Sequence, residues 1–455
     1  MSNQRTIQIS EKLVEDVKGL VQEENRTALR GIVDGMRAAD VADLLEHLDD
    51  EERLFVFELF EPEGAGDLLV EIEPPFQSRI LEDLDNKAIS EIVEEMDSDD
   101  AADLVGDLPA DRAREIIKRL TVDVSQDLEK LLPYHEDTAG GIMGLEFVAV
   151  NAGGTVGDAV RMIREKREEV ENLYHIWVVD DYERLVGVIS LKDLVLEPPE
   201  RKIKEIMNTE VISVTAHTDQ EEVVHLAKKY DLVNIPVVDE QHRLVGRVTH
   251  DDIIDVIEDE VDEDISLMAG VTNQDITEDS PLKISRARLP WLIGGLLGEI
   301  VSALVISRFE GSLEKIIALS FFFPVIMAMG GSTGNQAATV VVRGLATGDI
   351  SILKIGKRLL VEMKVAVFNG VICGLLLGLV VGYWVSDFWM GSVVGLALVV
   401  IILNASFLGA SVPIALKKLH FDPALGTVPF VATSNDIMGL LIYLGFITSY
   451  LRIRG

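Results

Sequence analysis

Three hydrophobic rhythms follow one another along the 455 residues. Up to about residue 137, apolar positions recur three and four apart in short stretches. These are AADVADLLEHLDDEERLFVFELF, then GAGDLLVEIEPPFQSRILEDL, then AISEIVEEMDSDDAADLVGDLPADRAREIIKRL. That period predicts amphipathic helices. A near-repeat of roughly 23 residues predicts helical hairpins stacked in a small superhelix. The second rhythm is a strand pattern that occurs twice, VVDDYERLVGVISLKDL at 178–194 and VVDEQHRLVGRVTHDDI at 237–253. Each copy reads as an apolar strand, an Asp turn, a second strand and a helix start. A helical period then returns: Ile254, Ile257, Val261, Ile265 and Met268 share one face. Asp255, Glu258, Asp259, Asp262 and Glu263 crowd the rest, and so many like charges on one helix repel unless cations intervene.

After Leu289 polar positions become rare. Five apolar spans are predicted, at about 290–307, 316–342, 359–385, 391–415 and 426–450. Each has the ~20 residues that cross a bilayer core. The second is long, and a break at GGSTGNQ, with a bend or tilt there, is expected. Lys283, Arg286 and Arg288 precede the first span, Lys354, Lys357 and Arg358 follow the second, and Lys417 and Lys418 follow the fourth. The other side has Arg308 and Lys315, a base-free SDFWMG, then Arg452 and Arg454. The positive-inside rule therefore places the N-terminal half in the cytoplasm and the C-terminus outside.

Charge sharpens this division. Residues before Pro281 hold 69 acids and 27 bases, a net of −42; those from Pro281 onward hold 8 and 14, a net of +6. A front half this acidic repels nucleic acid, whose phosphates need Lys and Arg. It attracts cations, or serves solubility alone. The single cysteine, Cys373, allows no internal disulfide. The first twenty residues have no apolar core of a cleaved signal peptide, so the front half is expected to stay in the cytosol.

The chemistry concentrates in a few polar groups. The stretch FVATSNDIMGLLIYLGFI, at 430–447, carries Asn435 and Asp436 within an apolar span. Ionisable groups there usually face a bundle interior or a water path. The alternatives for Asp436 are a protonated acid bonded to a neighbouring helix, or a partner for a passing cation. Asn335, Gln336, Asn369 and Asn404 are the other polar span residues noted. Gly370, Gly374, Gly378 and Gly382 lie four apart on one face, which suits close helix packing. GGSTGNQ lacks the Lys of a phosphate-binding loop, no histidine lies in a span, and no catalytic constellation is evident. The chain thus reads as a non-enzyme.

The duplicated strand pattern resembles a tandem CBS pair, a regulatory module. By that resemblance Ser190 with Asp193 and Thr249 with Asp252 are expected to meet the ribose of an adenine nucleotide such as ATP. Their spacing fits a helix N-cap equally well.

Taken with YHEDTAGGIM at 134–143, GGSTGNQAATVVVRGLATGD at 330–349 and FDPALGTVPFVATSNDIMGLLIY at 421–443, the chain resembles the MgtE family of magnesium channels and transporters over nearly its whole length. The resemblance implies a multidomain membrane protein. It would have an all-α superhelical N-terminal domain (1–137), an α/β tandem CBS pair (138–255), a connecting or plug helix with its linker (256–282), and a transmembrane domain of five α-helices (283–455). It further implies a homodimer in the cell membrane that takes up Mg²⁺ and is gated by cytosolic Mg²⁺. Pore roles fall on Asp436 and Asn335. Regulatory Mg²⁺ falls on Asp99, Asp103, Glu221, Asp231, Asp252 and Asp255, on Glu260, Glu263 and Asp264 of the plug helix, and on Asp422. Two positions depart from the family pattern: Ser332 and Val428 stand where Asn is frequent. The alternatives are a proton- or sodium-coupled divalent transporter and a membrane-anchored nucleotide sensor. An oxygen-rich path suits a hard, strongly hydrated ion such as Mg²⁺.

Overall fold

The protein is described by a computed structural model over residues 9–167, 173–271, 280–347, 350 and 355–454. The chain divides into two compact units, Met1–Ile257 and Glu258–Gly455.

The first unit opens with α1 (Glu11–Gln22) and α2 (Arg26–Val33). Eight short helices follow: α3 (Ala38–Glu46), α4 (Asp50–Phe57), α5 (Pro62–Glu71), α6 (Pro74–Asp83), α7 (Asn86–Val93), α8 (Ser98–Gly106), α9 (Ala110–Ile117) and α10 (Val122–Leu131). The odd-numbered helices of this set start 24 residues apart, and so do the even-numbered ones. The unit of repetition is therefore a helix pair. Its starts are written in the sequence. Asp49 and Glu52 form a capping box, Pro62 and Pro74 occupy first-turn positions, and the Asp85 side chain accepts from the Ala88 N–H. The same period sets the core: Leu44, Leu68, Ile92 and Ile116 are all buried.

Each strand copy folds into a three-stranded sheet. In the first, β1 (Ala149–Asn151) pairs parallel with β2 (His175–Val179), which pairs antiparallel with β3 (Leu185–Ser190). In the second, β4 (Val214–Thr215), β5 (Ile235–Val238) and β6 (Leu244–Val248) repeat that order. Helices α11 (Val156–Glu165) and α14 (Gln220–Tyr230) cross between the parallel strands, and α12 (Leu191–Leu196) and α13 (Ile203–Ile206) follow β3. The duplication extends to single atoms. Asp180 accepts the backbone N–H groups of Tyr182 and Arg184, and Asp239 accepts those of Gln241 and Arg243. Glu183 and His242 hold the same left-handed position in the two turns. The turns then bond reciprocally, Leu185 N–H to His242 C=O and Leu244 N–H to Glu183 C=O.

The helical layer and the second strand copy share one core, which runs from Leu131 through Ala139 and Met143 to Val223 and Ile235. The segment 134–143 forms the seam. Ala139 and Gly140 donate to the carbonyls of Thr218 and Ala216, and a Cβ at Gly140 would lie 2.6 Å from the Tyr134 ring. Helix α15 (His250–Ala269) begins inside the second copy and continues past its end.

Among its described residues the second unit holds five helices long and apolar enough to cross a membrane. They are α16 (Pro281–Arg308), a span built from a 3₁₀ segment (Ile317–Phe322) and α18 (Phe323–Ala346), α19 (Ile355–Trp384), α20 (Phe388–Lys418) and α21 (Thr427–Arg454); the short α17 (Glu310–Leu313) follows α16. One expectation needs correction. GGSTGNQ does not break the second span: α18 is continuous through it, and the change of helix type falls at Phe322–Phe323, just before Pro324. Glycine costs a helix only about 1 kcal/mol. Here it permits close approach, for a Cβ at Gly334 or Gly409 would enter the neighbouring helix.

Glycine also sets the tightest crossing. The Gly370–Gly374–Gly378–Gly382 stripe of α19 lies on Gly391, Gly395 and Val399 of α20. A Cβ at Gly395 would stand 2.4 Å from the Gly374 carbonyl oxygen. At one end of the bundle Asp387 caps α20 and accepts from Tyr450 Oη at 3.0 Å and from Arg454, both on α21. Gly395→Leu is expected to destabilise the protein by about 1–3 kcal/mol, as overpacking does. It should lower the unfolding midpoint in a fluorescence-monitored melt. Gly445→Ala, where nothing lies within 4 Å of an added Cβ, should leave it unchanged.

Candidate functional site

The acids of the first unit do gather. Asp99 and Asp103 stand one helical turn apart on α8, whose first turns are buried. Asp252, in the first turn of α15, faces both, and Glu146 closes another side by accepting from the N–H and Oγ of Ser98. Asp99 Oδ2 lies so close to Gly144 that a Cβ there would stand 3.0 Å away. The sequence reading named Asp99, Asp103 and Asp252 here. It missed Asp100 and Glu146. The run SDDAADLVGD already places Asp100, Asp103 and Asp107 at helical spacing, and that was the available signal.

Burial and mutual repulsion act together in this cluster. Burial first, and then Asp252 and Asp100, push the Asp99 carboxyl well above the ordinary range. Asp100 is raised to about 7 by burial and by Asp252 and Asp97. Asp103 is raised to about 7 by burial and by Asp107 and Glu136. Glu146 and Asp252 are raised, burial again leading. Among the described residues no three Asp, Glu, His or Cys side chains close into a ready-made metal cage.

The other regulatory candidates are scattered. Glu221 lies in the first turn of α14 and Asp231 at its left-handed C-cap. A rise of about 1.5 Å per residue puts them roughly 15 Å apart, so one ion cannot touch both within a protomer. Asp255 follows Asp252 by one turn of α15. Glu260, Glu263 and Asp264 share one face further along that helix, at spacings of three and four. Both nucleotide candidates stand at helix starts: Ser190 Oγ accepts the Asp193 N–H at 3.1 Å and donates to the Asp193 carboxylate at 2.6 Å, and the N–H and Oγ1 of Thr249 both donate to the Asp252 carboxylate. Asp252 thus belongs to a helix start and to the acid cluster together.

In the second unit Asp436 sits half-buried on α21. Its side-chain partner is another acid, Glu299 of α16, which the sequence reading overlooked. The signal was plain: Glu299 is an acid inside an apolar span, like Asp436. Beside it, Asn435 is fully buried and neither amide atom of its side chain has a hydrogen-bond partner. It packs on Gly330 of α18 so closely that a Cβ there would be 2.1 Å from its Nδ2. Asn335 Oδ1 on α18 and Asn404 Nδ2 on α20 are likewise buried and unpartnered. Orphaned polar atoms in an apolar bundle are costly, and an oxygen-seeking cation or its water shell matches this donor and acceptor set.

Asp422 lies in the turn before α21, where its carboxylate accepts the Ala424 N–H. The Gly426 N–H donates to the Leu267 carbonyl at 3.0 Å, which ties the end of α15 to the start of α21. Trp291 of α16 fills the same corner, against Gly270, Gly426 and Pro429. Movement of the α15 end is therefore felt directly at the first turn of the helix that carries Asp436.

Comparison with known proteins agrees with this organisation. A family model described as the MgtE intracellular N domain matches residues 36–137, the CBS domain model matches 139–200 and 203–259, and a model described as MgtE, divalent cation transporter, matches 323–446. The magnesium transporter MgtE of Thermus thermophilus is 39% identical over 442 residues, covering 96% of this chain and 98% of that one. The magnesium transporter MgtE of Bacillus subtilis is 34% identical over 423 residues, covering 93% and 94%. The crystal structure of the cytosolic domain of the Mg²⁺ channel MgtE in complex with ATP is similar at a TM-score of 0.51 and 38% identity, covering 54% of this chain and all of that one. The chain therefore belongs to the MgtE family of divalent cation transporters, as a multi-pass membrane protein with cytosolic N-terminal domains.

Proposed function

We propose that the chain carries Mg²⁺ across the cell membrane past Asp436 and Asn335, and that its cytosolic acids sense Mg²⁺ and close the path. The observation that carries the reading is Asp436: a half-buried carboxyl in a span, held beside a second acid instead of a base. Hydrated Mg²⁺ is the natural cargo for such a group, because carboxylates attract the charge and accept hydrogen bonds from the ion's water shell. The relatives named magnesium transporters support the choice of ion. Replacing Asp436 by Asn should abolish most Mg²⁺ uptake into proteoliposomes while the protein stays folded; wild-type uptake would instead favour a membrane-anchored sensor.

Asp99, Asp103 and Asp252 would hold the regulatory ion in the first unit, with Glu260, Glu263, Asp264 and Asp422 as further candidates. Glu221, Asp231 and Asp255 complete the proposed set, and the separation of Glu221 from Asp231 favours their use between subunits of a homodimer. Bound Mg²⁺ would add positive charge to that of Arg247, which already faces Asp97 and Asp252. The pairs Ser190–Asp193 and Thr249–Asp252 are the proposed contacts for ATP, which the similar cytosolic domain was crystallised with. The C-terminus is proposed to lie outside, from the distribution of bases. Ser332 and Val428 are the positions at which selectivity among Mg²⁺, Mn²⁺, Co²⁺ and Ca²⁺ is proposed to differ from relatives.

The raised acids give this reading a pH signature. Asp100 and Asp103 titrate at about 7 when folded, against the ordinary value of 3.8. Between those limits the folded state binds more protons than the unfolded one, so metal-free stability falls as pH rises from about 4 through about 7. Mg²⁺ should raise the unfolding midpoint strongly at pH values above that window and little near its lower end, where protons already neutralise the cluster. A saturating excess, a hundredfold over the dissociation constant, gives about 2.7 kcal/mol per site. Millimolar Mg²⁺ should also slow proteolysis of the cytosolic part; equal cleavage with and without it counts against the sensing role.

A further inference from the structure

The first span carries an acid with no task in the account above. Glu299 lies 11 residues after Arg288 and 9 before Arg308, with no base between. At about 1.5 Å per residue that is roughly 14–17 Å from either, near the middle of a bilayer core. Leu292, Leu296, Ile300 and Leu304 around it are exposed and suit lipid. A carboxyl among them is costly unless it turns toward polar company.

The geometry supplies that company. Helices α16 and α21 nearly touch at Gly298, where a Cβ would stand 1.9 Å from Thr433 Cγ2. One residue on along α16 and one turn on along α21, the Glu299 and Asp436 carboxyls come within hydrogen-bonding reach of each other. Two ionised carboxylates only accept, so the pair requires a proton or a cation between them. A second feature points to the same place. Ser302, one turn beyond Glu299 on the same face, is 2% exposed, and its hydroxyl has no partner. Helical side chains lean toward the N-terminus, which aims that hydroxyl back at Glu299.

We propose that Glu299 is a second ion-contacting carboxylate of the transport path, and that it sets affinity and divalent preference together with Asp436. The proposal rests on the reading of Asp436 as the transport residue. Two carboxylates from different helices approach a hydrated cation from two sides, and the Ser302 hydroxyl is placed to meet its water.

Mg²⁺ influx into proteoliposomes, with Ca²⁺ and Mn²⁺ as competitors, tests this on wild type, Asp436→Asn, Glu299→Gln and Glu299→Asp. Glu299→Gln should raise the half-saturating Mg²⁺ concentration roughly tenfold, the factor lost with one charge-assisted contact. It should also change the ranking of the competing ions, while maximal flux falls far less. Glu299→Asp should recover much of the affinity, which a merely structural role would not require. If Asp436→Asn loses flux but Glu299→Gln keeps wild-type half-saturation and ion preference, the proposal is overturned and the reading of Asp436 stands. If Asp436→Asn transports normally, that reading fails and takes the proposal with it. Should Glu299→Gln fail to give monodisperse protein, carbodiimide labelling of the wild-type chain decides. Mg²⁺ should protect Glu299 from modification, and undiminished labelling overturns the proposal.

Discussion

Acids crowded together in greater number than the bases beside them are the constraint on which the molecule depends. In the cytosolic unit burial makes these acids costly to ionise, and repulsion from their neighbours adds to the cost. Such crowding occurs twice. In the cytosolic unit Asp99, Asp100, Asp103 and Asp252 crowd a buried seam between α8 and the start of α15. In the membrane unit Asp436 and Glu299 meet between α21 and α16. A protein selected only for stability would place Lys or Arg at such positions. Both places offer negative charge to a cation from solution, which suits a family of divalent cation transporters.

The scaffolding around the two places follows from simpler rules. A 24-residue helix pair repeats its caps and its buried positions, so that α8 carries its acids into the shared core beside the second strand copy. Glycine faces on α18, α19 and α20 let backbones approach closely, which holds the apolar helices in register without polar bonds. Asn435 sits against Gly330 for the same reason. Helix α15 begins within the acid cluster at Asp252 and ends with Leu267 bonded to Gly426.

Much of this was legible in the sequence because periodicity and duplication are local signals. The strand copies, the helical repeat, the apolar spans and the isolated Asp436 could be read directly. GGSTGNQ reads as a break in the span but lies within a continuous helix, because glycine in a helix signals either flexibility or close packing and only the neighbours decide. Glu299 was passed over because attention fell on the last span, and its meaning comes from a partner 137 residues away. Asp100 and Glu146 were missed for a related reason: an acid on a short helix looks solvated until the surface that covers it is known. The separation of Glu221 and Asp231 at opposite ends of α14 was arithmetically available from helix rise.

The most direct test is proton release when Mg²⁺ is added to the protein in weakly buffered solution. Acids that titrate at about 7 carry protons near neutrality. The account predicts a burst of released protons at neutral pH on saturating with Mg²⁺. The burst should fade at clearly alkaline pH, where the groups are already ionised, and shrink when Asp100 and Asp103 are replaced by Asn. Mg²⁺ binding with no release at neutral pH, or with a release that does not depend on pH or on those residues, would contradict it.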